Sequence, residues 1–188
     1  MGANLTPDTL PRMPRRAEIF QAGEARFDTS ATADERTMLA DFLRAQRHTL
    51  VLKCSGLSAE LAARSVEPST LSLLGLVRHL ADVERRWFRQ VLAGEDVALR
   101  FSSVANPDGD FDDVSADGVA EAWEAWHDEV AFADRFVAAA PSLDVTGEDP
   151  WRGTVSLRWV LVHMVEEYAR HNGHADLLRE RIDGQVGL

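Results

Sequence analysis

Apolar residues recur at steps of three and four along four stretches of this chain, and turn-forming residues fill the gaps between them. From Asp34 onward, Leu39, Phe42, Leu43, Gln46 and Leu50 repeat at helical spacing, behind candidate caps at Thr32 or Asp34. Gly56 and Leu57 end this first helix, and the connector SAELAARSVEPST follows. Pro68 and Ser69 precede a second helix from about Thr70 to Ala93, with its stripe at Leu73, Leu76, Leu80, Val83 and Trp87 and a stop at Gly94. A third runs from about Ser115 to Ala140, with Val119, Ala122, Trp123, Trp126, Val130, Ala133 and Val137 inward and Pro141 as its stop. The last covers about Ser156 to Asp183. No segment reads as a strand. The pattern predicts an all-α fold, a four-helix bundle with long loops. The loop over 95–114 holds the turn signal Asn106-Pro107-Asp108-Gly109, and a second contains Gly147, Pro150 and Gly153. Loops of this length are expected to cross the bundle or shape a site.

Residues 1–30 break the helical pattern with Pro7, Pro11, Pro14, Gly2 and Gly23, and read as an irregular arm ahead of one domain over 31–188. A chain of 188 residues with 45% hydrophobic content is long enough for a single core. It has no apolar run of about 18 residues, so no transmembrane helix is expected. Arg12, Arg15 and Arg16 lead into no apolar stretch, so no secretory leader is expected either. The formal net charge of −11 argues against nucleic-acid binding and fits a cytoplasmic protein. Cys54 is the one cysteine, which excludes an internal disulfide; its position in an apolar pattern predicts a buried core thiol. Exposed Trp and Leu residues offer a candidate homodimer interface.

The chemistry concentrates in WVLVHMVEEYARHNGHADLLRERIDG. Here His163, Glu167, His171 and His174 fall on one helix face, within an arc of about 80°. Burying several such groups without partners is costly, so a shared stripe of them points to a metal site or an unusual polar seam. Zinc-type ions accept imidazole nitrogen and carboxylate oxygen, and a catalytic site takes three protein ligands and keeps one position open. Glu167 and His171 are four apart, as are His163 and Glu167; either pair can point at one ion. A third ligand must come from a facing helix, and His79, beside Leu76 and Val83, is the best placed. His48 and His127 are weaker, the latter because Asp128 and Glu129 mark a solvent-facing edge. His163 and His174 are candidates for outer-sphere partners or substrate contacts.

The segments LLGLVRHLADVERRWF and VHMVEEYARHNGHADLLRERIDG resemble the DinB superfamily of four-helix metal proteins, and its DUF664 branch most closely, over about residues 34–188. The resemblance implies a divalent-metal centre held by His79, Glu167 and His171. Glutamate at 167 is similar to the pattern of mycothiol-dependent maleylpyruvate isomerases. Zinc is the expected ion, with nickel, iron and manganese as alternatives. What the resemblance implies about activity is transfer of a low-molecular-weight thiol, with mycothiol as cosubstrate and an electrophile as acceptor, in detoxification or stress response. Arg78 and Arg170, with Arg85 and Arg86, become candidates to contact an acidic group on the thiol or substrate. The same ligands also suit a metal-dependent hydrolase using metal-bound water, with Glu166 or His174 as catalytic base, or a non-enzymatic metal-binding module.

Overall fold

The computed structural model describes residues 31–186, so the expected arm over 1–30 lies outside the described residues. Five α-helices appear there: α1 Glu35–Cys54, α2 Ala59–Ala63, α3 Leu73–Glu84, α4 Val119–Ala139 and α5 Leu157–Asp183. Each long helix starts where a side chain or turn can satisfy its free N–H groups. Asp34 accepts from Thr37 N ahead of α1, Ser72 from Gly75 N ahead of α3, and Ser156 from Trp159 N ahead of α5. A single 3₁₀ turn, Ala116–Gly118, leads into α4. The second helix therefore begins at Leu73 rather than at Thr70, because Ser72 is the residue that caps it.

α3 does not end at Glu84. Its hydrogen bonding widens to π type over Arg85–Leu92, which buries Trp87, Phe88, Val91 and Leu92 and turns Arg85, Arg86 and Arg89 towards the rim. α1 lies along α5 and α3 along α4, completing the four-helix bundle. Among the described residues, no helix is long and apolar enough to cross a membrane.

The expectation of no strand fails in one place. Thr146–Asp149 (β1) and Gly153–Ser156 (β2) pair antiparallel as a short hairpin, with Gly147 opposite Val155. Four-residue strands carrying Gly, Asp and Thr show no hydrophobic alternation, so nothing in the local pattern marks them. Tertiary docking holds the hairpin instead. Gly147 sits so close to the π-helical segment that a side-chain carbon there would overlap the Val91 carbonyl. Val155 is buried in the core.

The bundle interior also holds charge. Arg47 of α1 forms a two-pronged pair with Glu84 of α3, at 2.7 Å on each arm, and reaches Asp134 of α4 at 2.8 Å. Tyr168 of α5 donates its hydroxyl hydrogen to Glu84 (2.8 Å) and accepts from Trp126 Nε1 of α4 (2.7 Å). Glu84 and Tyr168 are fully buried, and burial beside Glu84 drives the Tyr168 phenol well above its ordinary range, so it stays a neutral donor. Glu129, which the sequence puts on a solvent edge, is in fact buried. Arg85, Arg89 and Arg100 converge on it.

Removing one member of a buried ion pair leaves the other uncompensated. Arg47→Met is therefore expected to lower unfolding free energy by about 3–5 kcal/mol in urea denaturation. Arg47→Met combined with Glu84→Leu should recover much of that loss. A single mutant within about 0.5 kcal/mol of the parent would mean that the pair does not carry the bundle.

Candidate metal centre

His79 is one turn before Asp82 on α3, and the long 95–114 loop is stapled to the helix on both sides of it. Asp82, buried, accepts from the backbone N–H groups of Arg100 (2.7 Å), Phe101 (3.1 Å) and Ser102 (2.8 Å) and from the Ser102 hydroxyl (2.8 Å). Arg78 donates to the carbonyls of Gly109 and Asp112, and its guanidinium covers the Phe101 ring. The turn between these anchors needs glycine at 109, where a Cβ would lie 2.5 Å from the Phe101 carbonyl oxygen. Stapled in this way, the loop delivers Asp110 and Phe111 to His79. Asp110 Oδ2 lies 2.7 Å from His79 Nδ1, and Phe111 stacks on the imidazole at 4.7 Å.

A carboxylate accepts, so the neutral His79 ring donates from Nδ1 and keeps a lone pair on Nε2. That lone pair has company from α5. His79, Glu167 and His171 each offer one ligand atom, and these atoms all lie within 4.8 Å of one another. The two imidazole rings are 4.6 Å apart between centres. Glu167 is flanked along its helix by His163 Nε2 on one oxygen and His171 Nε2 on the other, each at 3.5 Å. The His171 contact, followed by the charges of the three nearby imidazoles, outweighs burial and holds the Glu167 carboxyl below its usual range. His171 Nδ1 meets His174 Nδ1 at 3.4 Å. With the one hydrogen between those atoms on His171 Nδ1, that ring presents its lone pair at Nε2. Burial, His171 and Arg170 push the His174 pKa down, so His174 is the neutral partner.

The other sequence candidates are placed differently. His163 stacks on Trp159 (4.8 Å) and meets the edge of Trp87 (4.9 Å), turning it towards an aromatic cluster. Glu166 and Arg170 form an exposed pair at 3.3 Å, with Glu166 3.7 Å from His163 Nδ1. Arg78 faces the loop carbonyls, Arg85 is committed to Glu129 and the Ala98 carbonyl, and Arg86 pairs with buried Asp149 at 2.7 Å. His127 is an exposed ring against Trp123 and Trp126. Cys54 packs against the core, and burial pushes its thiol up to about 12, which leaves it unreactive. Sequence reasoning missed Asp110, Phe111 and Asp82. The turn signal at 106–109 pointed to the loop, but nothing local pointed to its return onto α3.

Two imidazoles and one carboxylate, one imidazole oriented by a carboxylate behind it, form a donor set that suits a zinc-type ion and leaves room for a further ligand. An open groove of about 840 Å³ starts at His79 and Asp110 and runs past Arg86 to Trp151.

Comparison with known proteins supplies the kinship. A family profile described as mycothiol-S-transferase matches residues 38–184, which is most of the chain and includes every residue of the centre.

The chain belongs to the mycothiol S-transferase family.

That family lies within the DinB-like superfamily, in agreement with the resemblance seen in the sequence. No curated protein matches the chain. Within this mycothiol S-transferase family member, the Asp110 contact makes a direct prediction. Long-range ¹⁵N NMR of metal-free protein near pH 8 should show His79 as the Nδ1–H tautomer. An Nε2–H signal for that ring would contradict the arrangement.

Proposed function

We propose that this chain is a divalent-cation-dependent S-transferase that activates a mycothiol-type thiol, with His79, Glu167 and His171 as protein ligands. The observation that carries the reading is the meeting of one α3 imidazole, which also lines an open groove, with a Glu–His couple of α5, in a chain of this family. When bound, a divalent cation lowers the pKa of a thiol and holds the thiolate against an electrophile. The chain's own residues do the rest. Asp110 keeps the His79 lone pair forward, and the stapled loop keeps Asp110 in place. The Nδ1–H that His171 keeps when its Nε2 faces the ion is donated to His174 Nδ1, so His174 supports His171 from behind as Asp110 supports His79. Of the two candidate bases, a neutral His174 accepting at Nδ1 holds its own hydrogen on Nε2, and the exposed Glu166 carboxylate is engaged with Arg170, so the thiol proton passes to solvent through the open groove. The open groove beside His79 is the space in which thiol and acceptor are brought together for transfer. Because Cys54 is half-buried, lies away from the site and has its thiol pushed up to about 12, the reacting thiol comes from outside the chain. Clearance of reactive electrophiles is the role that fits this chemistry.

The reading is tested by conjugation of mycothiol to monochlorobimane, followed by fluorescence. Zinc-loaded protein should turn over, and metal-stripped protein or His171→Ala should lose activity at least 100-fold, about 2.7 kcal/mol of barrier. Turnover independent of the metal, or ester hydrolysis without any thiol, would contradict it. Asp110→Ala should weaken zinc binding about 10–100-fold in a chelator competition while leaving the bundle folded.

A further inference from the structure

The hairpin tip, Pro150-Trp151-Arg152, is exposed yet firmly held. The buried carboxylate of Asp149 accepts from the backbone N–H groups of Trp151 (3.1 Å) and Arg152 (2.8 Å) through one oxygen and pairs with Arg86 through the other. This fixes the Trp151 ring 4.8 Å from the Arg86 guanidinium. It also sets the Arg152 guanidinium 5.8 Å from the Trp87 ring and 5.4 Å from the Trp159 ring. Trp159 belongs to the same stripe of α5 as the metal-site residues. It lies eight residues before Glu167, or about 12 Å along the helix, with His163 stacked between.

Two features here are left facing outward. Trp151 is 81% exposed and Trp159 is 37% exposed, although a tryptophan contributes most when buried. Among the described residues, Arg152 contacts aromatic rings and no carboxylate, in a chain whose acidic groups outnumber its basic ones. A rigid indole face beside a guanidinium without a counter-charge matches a planar group that carries an anion: the ring adds to the stack and the acid meets the guanidinium. His79, Arg86 and Trp151 line one groove, so the hairpin tip and the α3 imidazole border the same open space.

We propose that Trp151, Arg152 and Trp159, backed by Arg86, form the subsite for the electrophilic substrate, and that this subsite selects aromatic molecules bearing a carboxylate. Calling this ligand the acceptor rests on the thiol-transfer reading; its binding does not.

The test is calorimetric titration of the full zinc-loaded chain, without thiol, using 4-chloro-3-nitrobenzoate and its neutral amide, 4-chloro-3-nitrobenzamide. The acid should bind about tenfold tighter than the amide, one charge-assisted contact's worth. Arg152→Gln should abolish that preference, and Trp151→Ala should weaken both ligands; both positions are exposed, so neither change threatens the core. Metal-stripped protein and His171→Ala should keep the preference. Equal binding of acid and amide, a preference that survives Arg152→Gln, undiminished binding by Trp151→Ala, or a preference lost with the metal would overturn the proposal. The last outcome would put the carboxylate on the ion itself. Because no thiol is present, a failed conjugation assay and a failed subsite give separate results.

Discussion

The buried pair between Arg47 and Glu84 is the contact on which the rest of this molecule depends. An unpaired carboxylate in a bundle interior costs several kcal/mol, so Glu84 is tolerable only where its oxygens are met. Here they are met by a guanidinium from α1 and a phenol from α5, and the phenol is in turn held by an indole from α4. Apolar side chains fill a bundle in many registers, but this chain of hydrogen bonds closes only when the four helices are rotated and staggered in one way. Tyr168 pointing inward leaves Glu167 and His171 at the seam that faces α3. Glu84 pointing inward leaves His79, five residues earlier, at the same seam. The charged interior thus sets the geometry that a site between two helices requires.

Three layers of support then act on the centre. Helices supply the donors, since α3 and α5 are rigid and fix both spacing and face. The 95–114 loop, pinned through Asp82 and Arg78, orients one donor from behind through Asp110. The β1–β2 hairpin, docked through Gly147 onto the π-helical turn, shapes the far end of the groove with Trp151. The widening at Arg85–Leu92 matters to this last layer, because it places Trp87 inside and Arg86 at the rim beside the hairpin.

Much of this was legible in the sequence, for a physical reason. Helical periodicity is a local signal, so the four long helices emerge within about three residues of their ends. The polar stripe on α5 is local as well: His163, Glu167, His171 and His174 share a face whatever the helix packs against. His79 was readable from its place beside Leu76 and Val83. Contacts between distant segments were not readable. Asp110 is 31 residues from His79 in the chain, and its role exists only because two staples bring the loop back. Glu129 looked solvated beside Asp128, but three arginines from elsewhere bury it. The hairpin had no alternation to read, since docking and not propensity makes it a hairpin. His163 shares the stripe of Glu167 yet turns to Trp159 and Trp87, a choice set by aromatic neighbours and not by spacing.

The claim at the centre of this account is that an imidazole of α3 and a Glu–His couple of α5 hold one ion together. Anomalous diffraction at the zinc edge, on crystals of zinc-loaded untagged protein, addresses it most directly. One peak should appear about 2.0–2.2 Å from a nitrogen of His79, a nitrogen of His171 and a carboxylate oxygen of Glu167. A peak bound through His163 and Glu166 without His79, or full zinc loading with no peak between α3 and α5, would contradict it.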